Sequence, residues 1–120
     1  MNLAIVGSRD FTNYKVLEKS VFFVLNALNL EIKDIEHICS GGARGVDTLA
    51  EMFAEKYDIK TNIFKANWNL LGKSAGYLRN IDIIKNSDIV IAIHKNRSKG
   101  TQHSINLAKK LNKKVFVLSI

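Results

Sequence analysis

The four arginines of this 120-residue chain, Arg9, Arg44, Arg79 and Arg97, each stand in or beside a small-residue loop that follows an apolar run. These loops are Gly7-Ser8-Arg9, Ser40 to Gly45, Gly76 to Asn80 and Arg97 to Thr101, while the fourteen lysines are scattered over the whole chain. A guanidinium is planar, permanently charged and able to donate two parallel hydrogen bonds, which suits it to phosphate. Open parallel α/β sheets bind ligands beyond the carboxyl ends of their strands, where glycines admit a close backbone and the next helix presents unpaired N–H groups. The arginine placement therefore predicts one phosphate pocket at such an edge.

The segment Ser40-Gly41-Gly42-Ala43-Arg44-Gly45-Val46-Asp47 follows the second apolar run and opens a helix, so the amides of Gly41, Gly42 and Gly45 are expected to receive a phosphate. It is neither the dinucleotide fingerprint, which needs three spaced glycines after the first strand, nor a Walker A loop. Asp47 falls in the first helical turn, where the dipole favours a carboxylate; it could also meet a ribose hydroxyl or anchor a neighbouring loop. On the near side Gly7, Ser8 and Arg9 would hold the guest, and Arg79, Ser98, Gly100 and Thr101 would close the far side. Thr101 can cap a helix, bind a phosphate oxygen, or do both. Asn80 either fixes the Arg79 loop or meets ligand, and Lys73 with Ser74 can donate to phosphate. Trp68 lies in the long connection after the third strand, as a stacking platform for a base, worth about 1–3 kcal/mol, or as a lid. Phe11, Tyr14 and Tyr77 are the other loop aromatics, whereas Phe22, Phe23, Phe53, Phe64 and Phe116 are expected in the core.

The elements that would position these loops are legible as alternation. Five β-branched runs, Leu3 to Val6, Ile35 to Cys39, Thr61 to Phe64, Ile89 to Ile93 and Val115 to Leu118, alternate with helical spacing over Val16 to Leu28, Val46 to Tyr57, Ala75 to Ile84 and Ser104 to Leu111. Strand alternating with helix predicts right-handed βαβ crossovers. The expected fold is α/β: a single Rossmann-like three-layer sandwich with a mainly parallel five-stranded sheet, one domain over residues 1–120. With no proline in the chain, glycine and asparagine must mark the turns, and Asn112 after Lys109-Lys110 suits a helix C-terminus.

Net charge is +7, which favours anionic partners without choosing between a nucleotide and a nucleic acid. The longest apolar runs fall far short of the roughly 20 residues of a membrane helix, so no membrane partner is expected. Residues 1–6 read as a first strand with no basic leader, which places the protein in a cytoplasm. The lone Cys39 reads as a buried structural thiol, and no His, Cys or Asp spacing suits a metal site. No cofactor is required; a magnesium ion would enter only with a phosphate-bearing ligand.

Gly7-Ser8-Arg9, Ser40 to Asp47, Gly72 to Asn80 and Ser98 to Thr101, in this order and on these elements, resemble the SLOG superfamily, and within it the small single-domain YspA-like branch. The resemblance runs from Ala4 to about Val117; Tyr77 departs from it, standing where that branch often has proline. It implies a Rossmann-like fold that binds a nucleotide or nucleotide-derived ligand, phosphoribosyl or ADP-ribose-like, as a sensor or sequestering module, and a homo-oligomer. Two better-understood relatives imply different chemistries. Arg79 and Gly100-Thr101 are similar to the frame of cytokinin-activating phosphoribohydrolases, but Gln102, His103 and Ser104 follow where their glutamate is expected, so N-glycosidic hydrolysis of nucleotides lacks its carboxylate. Ser40 to Asp47, Arg79-Asn80 and Ser87-Asp88 resemble DNA-processing protein A, which implies single-stranded DNA binding.

Overall fold

The computed structural model describes residues 1–95 and 98–119, leaving aside the side chain of Lys73. Its strands are β1 (Asn2–Gly7), β2 (His37–Ser40), β3 (Lys60–Ile63), β4 (Ile89–His94) and β5 (Lys114–Ser119), in the order β3-β2-β1-β4-β5. Every pairing is parallel, so the sheet is parallel throughout rather than mainly so. Helices α1 (Tyr14–Ala27), α2 (Val46–Lys56), α3 (Trp68–Leu71), α4 (Ala75–Lys85) and α5 (Lys99–Lys110) connect them. Successive strand residues point to opposite faces, and this divides the core in two. Leu3, Ile5, Ile38, Ile89, Ile91 and Ile93 pack with Leu17, Val21, Leu25, Leu49 and Phe53 of α1 and α2. Ala4, Val6, Cys39, Val90 and Ala92 pack with Ile83, Ile84, Ile105 and Ala108 of α4 and α5.

Strand β2 begins at His37 rather than Ile35, because Ile35 closes a 3₁₀ turn over Ile32–Asp34. Phe11 stands in the loop between β1 and α1 as expected but is buried in the first core, while Phe23, expected in the core, is 72% exposed. Cys39 is a buried thiol donating to the Asn86 carbonyl. No described helix is long and apolar enough to cross a membrane.

Three helices end the same way without proline. Asn29, Asp58 and Asn112 take positive φ of 55°, 55° and 58°. The following amides of Leu30, Ile59 and Lys113 then reach back to the carbonyls of Leu25, Ala54 and Ala108 at 2.8–2.9 Å. This satisfies carbonyls that a helix end otherwise leaves open. Asp58 is the poorest of the three, since a carboxylate opposes the negative end of the α2 dipole. Asp58→Gly is expected to stabilise the fold by about 1 kcal/mol and raise the melting temperature by roughly 4 °C in a thermal unfolding scan. An unchanged or lower midpoint would show that Asp58 is satisfied in some other way.

Beyond β1 the chain works outward through β2 and β3, and beyond β4 it works outward to β5. The neighbouring carboxyl ends of β1 and β4 therefore form the topological switch point, where such sheets open a crevice. Ser8 ties the two ends together. Its N–H donates to Ile93 O at 3.1 Å, and its hydroxyl donates to Lys95 O and accepts the Lys95 N–H, both at 2.9 Å. Ser8 is 1% exposed, so Ser8→Ala leaves two backbone groups short of partners and is expected to cost about 2–3 kcal/mol. A lowered urea midpoint at constant m-value is the readout; no shift would mean that water replaces the hydroxyl freely.

Candidate functional site

At the switch point lies a cavity of about 550 Å³, within the range of small-molecule sites. Gly7, Ser8 and Arg9 come from the end of β1, Arg44 and Asp47 from the β2–α2 turn, and Trp68 from α3. Tyr77, Arg79 and Asn80 come from α4, while Lys95, Ser98, Gly100 and Thr101 come from the segment between β4 and α5 and its first turn. Arg9, Arg44 and Arg79 thus meet around one space; Arg97 and the side chain of Lys73 lie outside the described residues.

Ser40, Gly41, Gly42 and Gly45 do not line the cavity. These residues support it from behind. The Ser40 hydroxyl bonds to Asp47 O, and Gly42 and Gly45 take positive φ of 70° and 75°. The side chain of Arg79 packs on Gly41: its Nη1 donates to Gly41 O at 2.8 Å and its Nε to Asn80 Oδ1 at 3.1 Å. A Cβ at Gly41 would run into that guanidinium. The first amides of the α2 turn are also engaged, Val46 N–H on Ser8 O and Ala43 N–H on Asp47 Oδ2, both at 3.2 Å. The glycine cluster therefore provides close packing between the loops behind the cavity.

Helix α5 presents the opposite situation. Ser98 is its N-cap residue but makes no side-chain cap bond, and the Thr101 hydroxyl, on a residue 3% exposed, has no hydrogen-bond partner among the described residues. The carbonyl of Ser98 meets His94 Nε2 at 3.1 Å, which holds the turn against the end of β4. Gly100 faces open space. An uncapped helix start leaves donors and a positive dipole end directed at whatever occupies the cavity.

The electrostatics are those of crowded cations. Burial pulls the Arg79 guanidinium below its ordinary pKa, Asp47 opposes this, and the like charge of Arg9 lowers it further. Asp47, 8% exposed, is pushed the other way: burial raises its carboxyl, while the Ala43 N–H and Arg79 hold it down. Trp68, half exposed, spans the cavity mouth, its ring edge on Gly76 and the Arg9 guanidinium 5.7 Å from its centre. Asn67 sets this up by capping α3, accepting the Leu70 N–H at 3.1 Å. Tyr77, also half exposed, stands edge-on to His103, whose Nδ1 lies 3.4 Å from Asn80 Nδ2.

Asp10, Gly76, Lys95 and Ser104 also line the cavity, and sequence reasoning did not assign them to it. The only signal for Lys95 was its place just past β4, at the same edge as Arg9. Among the described residues no three His, Cys, Asp or Glu side chains group as a cation site.

Known proteins resemble this chain over much of its length. Gene 61 protein of Mycobacterium phage D29 is 35% identical over 79 residues, covering 61% of this chain and 63% of its own. DNA processing protein A from Helicobacter pylori, studied for its single-stranded DNA binding mode, superposes over 98% of this chain and 64% of its own, with a TM-score of 0.67 and 26% identity. The same protein from Streptococcus pneumoniae superposes over 97% of this chain and 49% of its own, with a TM-score of 0.71 and 26% identity. The chain thus spans less than two thirds of the length of each of these proteins. Residues 1–70, from β1 through most of α3, match the model of the YspA, cpYpsA-related SLOG family. With more than half its length matched and the fold shared across its remainder, the chain belongs to the YspA, cpYpsA-related SLOG family.

Proposed function

We propose that the chain binds a nucleotide or nucleotide-derived ligand carrying a phosphorylated ribosyl group, at the carboxyl edge of the sheet, as a sensor or sequestering module. One observation carries this reading. The cavity that gathers Arg9, Arg44, Arg79 and Lys95 also receives the start of α5, where Ser98 makes no side-chain cap bond and the Thr101 hydroxyl has no partner among the described residues. Like charges gathered around one space repel one another, and an anion between them offsets that cost with charge-assisted hydrogen bonds of about 1.5–3 kcal/mol each. Trp68 and Tyr77 at the rim supply apolar faces for a base.

Native mass spectrometry of freshly purified protein, followed by denaturation and identification of any released small molecule, tests the assignment. A bound phosphoribosyl or ADP-ribose-like compound is the expected result. Free protein that also ignores AMP and ADP-ribose in calorimetry would defeat it.

Single-stranded DNA is the second reading, favoured by the similarity to the Helicobacter pylori protein and by the +7 charge. Oligonucleotide affinity that falls steeply with salt, with no mononucleotide able to saturate the site, would select it. Hydrolysis of an N-glycosidic bond is tested on the same nucleotides by looking for released base. After Gly100-Thr101, Gln102 bonds to Asn106 and His103 approaches Asn80, so the carboxylates at the cavity are Asp10 and Asp47.

A further inference from the structure

Asp47 is the buried acid of a cavity that also gathers Arg9, Arg44, Arg79 and Lys95, and its position conflicts with an anionic guest. Its Oδ2 accepts the Ala43 N–H at 3.2 Å, yet it forms no ion pair with Arg79, although both side chains press on Gly41. Arg79 spends its Nη1 on the Gly41 carbonyl instead. The other charged groups around this space are Arg9 and Asp10 from the segment after β1, Arg44 from the same turn, Glu51 one helical turn onward and Lys95 beyond β4. His94 and His103 are the titratable imidazoles at this edge.

A phosphate on Arg79 would draw the guanidinium's charge to itself and stand beside the carboxylate. Two neighbouring anions in a desolvated site do not both stay ionised. Resting on the anion-site reading above, we propose that Asp47 takes part in binding as a neutral carboxylic acid: ligand binding transfers one proton from solvent to Asp47, and its O–H donates to a phosphate oxygen. No covalent bond to the ligand forms or breaks, and the proton returns to solvent on release. Burial and Glu51 raise its carboxyl above the ordinary carboxylate range, against the Ala43 N–H, Arg79 and Ser40, which hold it down.

Calorimetry with ADP-ribose tests this, because its pyrophosphate diester keeps a fixed charge between about pH 5 and pH 8. Titrations in two buffers of different ionisation enthalpy give the number of protons exchanged. The expected result is uptake approaching one proton and affinity that rises on acidification, by up to about tenfold per pH unit within the titrating window. Asp47→Asn should abolish the uptake and bind at least as tightly as wild type near the alkaline end, since its amide donates without carrying charge. Binding with no proton uptake by the wild type, a measurement that needs no variant, overturns the proposal while leaving the anion site standing. Uptake that survives Asp47→Asn overturns it too, and moves the proton to an imidazole. If ADP-ribose fails to bind at any pH, the anion-site reading falls and the linkage falls with it.

Discussion

Gly45→Ala is expected to remove about 4 kcal/mol of folding stability, a large part of what a domain of this size possesses. Two effects combine. Gly45 has φ of 75°, where a side chain is strained by about 1–3 kcal/mol. A Cβ there would also collide with the carbonyl oxygens of Ser8 and Arg9, and those oxygens cannot swing aside. Ser8 O holds Phe11 N–H and Val46 N–H, and the Ser8 side chain is fixed to Lys95. Overpacking against such a rigid neighbour adds about 1–3 kcal/mol. Gly100→Ala is the internal control, because a Cβ there meets nothing within 4 Å and the backbone is helical. It should leave stability unchanged or raise it by about 0.5–1 kcal/mol. Urea midpoints that fall equally for both variants would mean that the packing of the β1 and β2 loops does not govern the fold.

The second large effect is on binding. Arg79→Ala is expected to weaken binding of the proposed nucleotide ligand by about 3 kcal/mol, or roughly 150-fold, since it removes a half-buried charge together with its planar donors. Arg79→Lys should recover little of this, because an ammonium cannot reproduce the fork that spans Gly41 O and Asn80 Oδ1. Some stability will be lost as well, about 1–2 kcal/mol, from the Gly41 carbonyl left without its donor. Calorimetry beside a denaturant melt separates the two losses. Unchanged affinity with a lowered melt would make Arg79 a purely structural residue.

The alternation of β-branched runs with 3.6-residue periodicity was enough to read an α/β sandwich, because buried parallel strands must be apolar on both faces. The periodicity failed where an element buries little. Helix α3 has no buried residue, so no apolar face marked it and it read as a connection, and the polar first turn of α5 hid its start at Lys99 behind the spacing that begins at Ser104. At the site, the convergence of Arg9 and Arg44 was legible because each follows a strand end, and in a parallel sheet all strand ends that precede helices share one edge; Arg79 reaches the same space from within α4, in a stretch that reads as a loop. The role of Gly41 was not. A glycine in a sequence declares that something approaches closely, without saying whether that neighbour is a guest or, as here, the chain's own arginine.

The left-handed helix endings at Asn29, Asp58 and Asn112 have a kinetic consequence. By terminating helices with asparagine and aspartate, the chain does without any prolyl peptide bond. Proline isomerisation imposes waits of roughly 10–100 s on refolding, and this polypeptide carries no such clock.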